Sequence, residues 1–335
     1  MKTLVTGAAG FIGSFLCKRL LETANDEIIG LDNLNDYYDV SLKETRLDML
    51  KPYKNFKFIK GDISDKSFVD KLFNKYNFDV VVNLAAQAGV RYSIDHPDVY
   101  IESNIIGFYN ILEACRHYPV EHLVYASSSS VYGSNKKIPY SVEDKVDNPV
   151  SLYAATKKSN ELLAHAYSKL YGIPSTGLRF FTVYGPAGRP DMAYFGFTNK
   201  LIKGETIKIF NYGNCKRDFT FVDDIVEGVV NVMQVAPAEN ENGAKYKVYN
   251  IGNNDPVNLL DFVDILQQEL VSAGVLPSDY DFKGHKELVP MQPGDVEVTY
   301  ADVTALQEDF GFKPSTPLRD GLRAFAEWYK EYYRV

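Results

Sequence analysis

Cysteine is scarce in this chain. There are three, Cys17, Cys115 and Cys215. They are far apart, with no Cys-x-x-Cys pair and no metal-ligand spacing. An odd, scattered set argues against a disulfide framework and predicts a reducing compartment. Long apolar runs are also missing. Nothing approaches the roughly 20 residues needed to cross a bilayer. The opening MKTLVTGAAG has no apolar stretch long enough for a secretory signal. We therefore expect a cytoplasmic protein. Positive charge is in deficit too: 36 Lys and Arg stand against 44 Asp and Glu, a net charge of −8. That argues against a nucleic-acid surface, which needs a basic face. A local basic pocket remains compatible with it.

What the sequence does have is alternation. With 335 residues, 45% of them hydrophobic, the chain can bury a substantial core and has room for roughly two domains. Apolar strand-like runs occur at Thr3–Thr6, Glu27–Leu31, Phe56–Ile59, Val80–Leu84, His122–Ala126 and Ser175–Phe181. Helical patterns lie between them at Phe11–Thr23, Ser67–Tyr76, Asp98–Tyr118 and Tyr153–Tyr171. Strands alternating with helices of this length imply βαβ units on a parallel sheet, an α/β class of Rossmann type. Beyond residue 181 the texture changes to loops rich in Gly, Pro and Asn. Further helical patterns follow at Phe221–Val235, Leu259–Leu270 and Leu318–Tyr332. The expected division is a dinucleotide domain over 1–180, with a return near 220–252, and a smaller interleaved α/β substrate domain over 181–335.

Residues 3–13, TLVTGAAGFIG, place Gly7, Gly10 and Gly13 directly after a strand and at the start of a helix. This context suits a tight turn, close approach to a pyrophosphate and a helix N-terminus facing negative charge. Asp32 closes the second strand about 20 residues on. Its carboxylate suits a ribose diol and repels a 2′-phosphate, which favours NAD over NADP. GDIS (61–64) and LAAQ (84–87) end the next two strands. They are either cofactor contacts or ordinary polar strand ends.

SSSSVYGS (127–134) follows a strand, and SLYAATKKSN (151–160) opens a helix. Tyr153 and Lys157 share a helix face. An ammonium beside a phenol stabilises the phenolate and lowers its pKa. Alone, such a pair is an ordinary surface feature. After a dinucleotide motif and a serine run, it reads as a proton-transfer site.

Together these motifs resemble the extended short-chain dehydrogenases/reductases that modify nucleotide sugars, and the resemblance runs over essentially the whole chain. LDNLNDYYDVSLKETRL (31–47), QAGVRYS (87–93), RFFTVYGP (179–186), GRPDMA (188–193) and RDFTFVDD (217–224) are most similar to UDP-glucuronate 4-epimerases. The resemblance implies that Tyr153 takes the proton from the sugar 4-OH, Lys157 lowers its pKa and holds the nicotinamide ribose, and Ser128 supports the transfer. It implies a retained NAD held by Gly7, Gly10, Phe11, Ile12, Gly13, Asp32, Asn33, Asp62, Ile63, Leu84, Ala85, Ala86, Gln87, Asn104, Tyr153, Lys157 and Phe180. Phe181 would also lie near the nicotinamide. The 4,6-dehydratases of the family carry an Asp-Glu pair where Ser129 and Ser130 stand here, so elimination lacks its general acid and base.

The resemblance also outlines the substrate end. Arg217 matches an arginine on the diphosphate, unless it pairs with its neighbour Asp218. IKIFNYG (207–213) is either the uracil cradle, a core strand, or both. At MQPGD (291–295) Gln292 replaces a second diphosphate arginine of the galactose epimerases, and Asp295 is a candidate for the uridine ribose. A hexuronate carboxylate suits hydroxyls from Ser128, Ser129, Ser130 and Thr182 with a guanidinium from Arg189 or Arg91. Either arginine could instead tie down its own loop. The implied activity is C4 epimerisation of UDP-glucuronate through a 4-keto sugar, by a homodimer. A neutral UDP-hexose 4-epimerase, a UDP-glucuronate decarboxylase and a non-catalytic NAD-binding regulator are the alternatives.

Overall fold

The computed structural model describes residues 1–23, 26–291 and 297–335. Seven parallel strands form the main sheet: β1 (Lys2–Thr6), β2 (Glu27–Asp32), β3 (Phe56–Lys60), β4 (Val80–Asn83), β5 (His122–Ser128), β6 (Ser175–Phe180) and the late strand Tyr246–Ile251. Their spatial order is 3-2-1-4-5-6, with the late strand on the far edge beside β6. That order is the doubly wound Rossmann arrangement, with its crevice at the carboxyl ends where strand order reverses between β1 and β4. β4 is buried along its whole length, as a strand covered by helices on both faces must be.

The helices flanking the sheet are α1 (Phe11–Thr23), α2 (Val40–Asp48), α3 (Lys66–Tyr76), the short α4 (Tyr92–Asp95) and α5 (Pro97–Tyr100), then α6 (Gly107–His117) and α7 (Leu152–Tyr171). Two features differ from the periodicity. The segment 31–47 ends in a helix, α2, that the pattern did not announce. The helix expected over Asp98–Tyr118 is broken by a π-helical turn at Ile101–Ile106. Asn104 lies in that turn with its side chain turned inward, bonded to the backbone of Gln87 and to Thr156. Such π turns recur at functional sites.

The later chain builds the second layer. Strand β7 (Thr182–Tyr184) follows β6 after one residue. β8 (Ile207–Ile209), β9 (Lys216–Phe221), β10 (the late strand Tyr246–Ile251), β11 (Pro256–Asn258), β12 (Lys286–Leu288) and β13 (Val298–Thr299) alternate with α8 (Ala193–Ile202), α9 (Val222–Met233), α10 (Leu259–Ser272), α11 (Thr304–Phe310) and α12 (Leu318–Tyr333). β9 is the hub of the small sheet, pairing with β7, β11 and β13. β10 and α9 belong spatially to the large sheet, so the chain crosses between layers more than once. One apolar core runs through both, from Leu16 and Val82 to Phe219, Phe262 and Phe325. That continuity gives the crevice between the layers rigid walls.

Candidate active site

A cavity of about 850 Å³ follows the crevice from the glycine turn to Arg217 and Thr299. Its first part is the β1–α1 turn. Gly7 has φ +72°, open to glycine at little cost. A Cβ on Gly13 would lie 2.1 Å from the Gly7 carbonyl oxygen, so only glycine lets α1 start this close to the turn. The first-turn amides of Phe11, Ile12 and Gly13 have no acceptor inside the helix. All three residues line the cavity, and this cradle fits a dinucleotide pyrophosphate. Asp32 sits beside it and accepts from the amides of Ala9 (3.1 Å) and Leu34 (2.9 Å).

Asn33, Asp62, Ile63, Leu84, Ala85, Ala86 and Gln87 continue the wall. Burial pushes the Asp62 carboxyl up. Hydrogen bonds from Asn33 (2.8 Å) and Ser64 outweigh that and hold it below the usual range. Asn104, expected as a cofactor contact, is not among the residues that line the cavity. It is buried behind the wall, with its amide exchanging bonds of 2.8 and 3.0 Å with the Gln87 backbone. Its place in the structure is to hold the loop after β4.

The end of β5 and the start of α7 supply the reactive groups. Ser151 caps α7 by accepting from the Ala154 amide at 3.1 Å, which places Tyr153 in the first turn. Burial pushes the Tyr153 phenol above its ordinary value, while a hydrogen bond from Ser128 and the charge of Arg189 pull it down and Asp191 pushes it up. Lys157 donates to the Ala126 carbonyl at 2.9 Å and lies 6.0 Å from the Tyr153 ring centre. Burial brings its ammonium down to about 8. Ser128 and Arg189 thus pull the Tyr153 phenol down, while the Lys157 ammonium, on the same helix face, is turned to a main-chain carbonyl.

Ser128 also accepts from the Ser130 amide (3.2 Å) and hydroxyl (2.9 Å). Ser129, Ser130, Phe180, Phe181 and Thr182 complete this part of the wall. Behind it is an ion pair that local pattern gave no reason to expect. Arg179 and Glu161 meet in two bonds of 2.8 and 2.9 Å, both side chains almost wholly buried. Ser127 donates to Glu161 at 2.7 Å, and Arg179 donates to the Tyr132 hydroxyl at 3.1 Å. The network ties β5, β6 and α7 into one register, a task that buried polar groups perform through geometry more than net stability.

At the far end stand the arginines. Arg189 lines the cavity close enough to Tyr153 to act on its phenol. It makes a bidentate pair with Asp191, at 3.0 and 2.6 Å, and the two side chains are 27% and 29% exposed. Tyr37 donates to the same carboxylate at 3.3 Å. Arg189 thus both braces its own loop and faces the cavity. Its Nε edge is taken by Asp191, and a guanidinium has donors to spare on its other edge.

Arg91 is exposed and stacks over the Phe210 ring at 5.7 Å. A second, smaller cavity holds Arg91 with Lys200, Lys208 and Phe210. In β8, Ile207 and Ile209 are buried while Lys208 is exposed, so the strand is core on one face and open on the other. Arg217 lines the main cavity and donates to the carbonyls of Lys216 (2.9 Å) and Glu297 (3.1 Å). Its neighbour Asp218 is turned away and buried, accepting from the amides of Asn253, Asn254 and Ala301. Gln292 and Asp295 lie outside the described residues.

A parallel Rossmann sheet, a glycine cradle with an acidic strand end, and a Tyr/Lys/Ser set at one crevice define a dinucleotide-dependent oxidoreductase-type enzyme of the short-chain dehydrogenase architecture. Residues 3–252 match the model of the NAD dependent epimerase/dehydratase family, and the chain belongs to that family. It is 46% identical to UDP-glucuronate 4-epimerase 2 of Arabidopsis thaliana over all of this chain and 77% of the plant protein. It is 50% identical to the protein CapI of Staphylococcus aureus, end to end in both. Its structure is similar to that of UDP-glucuronic acid 4-epimerase from Bacillus cereus in complex with UDP-glucuronic acid and NAD, with a TM-score of 0.87, 34% identity and coverage of 99% and 100% of the two chains.

Proposed function

We propose that this enzyme uses NAD to epimerise UDP-glucuronate at C4, giving UDP-galacturonate through a 4-keto sugar. The observation that carries the reading is one cavity holding the dinucleotide cradle, the Ser128/Tyr153/Lys157 set and Arg189. The plant and Bacillus relatives, named for this reaction, support it. Held by the glycine cradle and Asp32, NAD would supply the acceptor and the donor for the C4 hydride.

The chain's own residues do the rest. Tyr153 takes the 4-OH proton, with Ser128 bonded to the phenol oxygen and Lys157 beside it. Thr182, Ser129, Ser130 and Arg189 meet the carboxylate. Once C4 is a ketone, a hexuronate is a β-keto acid and loses CO₂ when its carboxylate aligns with the ketone. Fixed donors on the carboxylate oppose that alignment. Neither Ser129 nor Ser130 can serve as the acid or base that elimination needs. Arg217 takes the diphosphate, and the Lys208 and Phe210 side of the smaller cavity takes the uracil.

The test is incubation of the protein with UDP-glucuronate and no added NAD, followed by proton NMR of the sugars. We expect UDP-galacturonate with little pentose. UDP-xylose as the main product would establish a decarboxylase. Silence toward UDP-glucuronate beside fast turnover of UDP-glucose would establish a neutral epimerase.

No helix among the described residues is long and apolar enough to cross a membrane, and the three cysteines are buried, which suits a cytoplasmic setting. Ile101, Ile106, Tyr109, Leu162, Leu170 and Tyr171 are exposed on the π turn, α6 and α7. This apolar face supports a homodimer joined through a four-helix bundle. Light scattering should give twice the chain mass, and a monomer would refute the dimer.

A further inference from the structure

The segment 31–47 is accounted for only in part by Asp32 and Asn33. Its one arginine, Arg46 on α2, is fully buried. It forms no ion pair among the described residues. Instead its guanidinium donates to three main-chain carbonyls and one hydroxyl: Ala9 at 3.1 Å, Ala187 at 2.9 Å, Gly188 at 3.0 Å and Tyr38 at 2.6 Å. Ala9 lies in the glycine turn, and its amide is held by Asp32 from the other side. Ala187 and Gly188 immediately precede Arg189, and Ala187 has φ +50°. A Cβ on Gly188 would lie 1.7 Å from the Tyr194 hydroxyl, so this loop has little slack. A buried charge compensated only by neutral dipoles and the Tyr38 ring, 5.4 Å away, is expensive to desolvate. A neutral apolar side chain would fill the space more cheaply.

We propose that Arg46 is a positioning residue that locks the cofactor turn to the substrate loop. The loop bearing Arg189 takes its binding geometry only when the dinucleotide turn is in place. Arg46 is not among the residues that line the cavity. It acts through Ala9 on one side and Gly188 on the other. By linkage, NAD then raises affinity for the substrate's sugar end, and the substrate in turn tightens NAD. Only a planar fork spans three carbonyls, so lysine cannot replace it.

The test compares wild type with Arg46→Lys and Arg46→Met, each stripped of NAD and then reloaded. Hydrogen exchange of the amides in 185–191 and binding of UDP-glucuronate and UDP are measured in both states. In wild type, NAD should slow exchange in 185–191 and raise UDP-glucuronate affinity about tenfold more than UDP affinity, within the usual range for coupled sites. In Arg46→Lys that extra increment should fall to about twofold or less, with NAD lost more readily on gel filtration. An increment retained in Arg46→Lys would overturn the proposal. So would wild-type exchange in 185–191 that ignores NAD, a result that stands even if both variants fail to fold. The affinity arm rests on the reading of Arg189 as the carboxylate partner. If Arg189→Ala leaves the preference for UDP-glucuronate over UDP intact, that reading fails, whereas the exchange arm still judges Arg46 alone.

Discussion

Tyr153→Phe should reduce turnover of UDP-glucuronate by about a thousandfold, the scale of a lost general base, while NAD content and thermal stability stay near wild type. The substitution removes one hydroxyl from a half-buried ring and no apolar contact. Ser128 loses its partner but keeps its bonds from Ser130. Retained activity would sink the mechanism, and loss of NAD together with activity would mean that the hydroxyl serves binding.

The same hydroxyl sets the pH dependence. The phenol oxygen can accept the 4-OH proton only as the phenolate. Burial raises the phenol above its ordinary value, so the base form is scarce at neutral pH and grows as pH rises. Falling pH restores the phenol proton, so kcat/KM should drop about tenfold per pH unit from about pH 9 down to about pH 6. A profile flat from pH 6 to 9 would show that Tyr153 does not carry the proton.

Arg189→Ala should weaken UDP-glucuronate binding by about 30-fold and UDP binding by less than about twofold. A charge-assisted hydrogen bond in a partly buried site contributes about 1.5–3 kcal/mol, and every 1.4 kcal/mol is tenfold in affinity. The contribution stays in the lower part of that range because Asp191 already neutralises the guanidinium. Calorimetry with the two ligands reads the difference. Equal loss for both would mean that Arg189 only braces the loop through Asp191. That outcome has a structural basis, since the pair at 2.6 and 3.0 Å closes within the loop itself. Selectivity for the uronate over its nucleotide is therefore the informative quantity.

Local pattern in this chain carried a large share of the architecture. Strands such as Val80–Asn83 are continuously apolar because both faces are covered, and that run is visible in one dimension. Gly7, Gly10 and Gly13 are legible because backbone geometry at a strand–helix turn demands them within a few residues. Tyr153 and Lys157 are legible because helix geometry places residues four apart on one face. The regularity of these spacings has a single source: each depends on neighbours in the chain.

The partners of the charged residues were decided by the fold. Arg179 finds Glu161, Arg46 finds the carbonyls of Ala9, Ala187 and Gly188, and Asp218 turns to Asn253, Asn254 and Ala301. Asn104 holds the Gln87 loop from behind through a π turn that helical periodicity cannot announce. Lys157 donates to the Ala126 carbonyl, and Ser128 and Arg189, from other elements, pull the Tyr153 phenol down. By itself the sequence determined which residues repeat at strand, turn and helix spacing, and hence the sheet, the cradle and the Tyr/Lys pair. Only the tertiary structure decided which buried charge meets which partner. Backbone periodicity is local, whereas desolvation and charge pairing depend on what the folded chain brings into contact from far along its length.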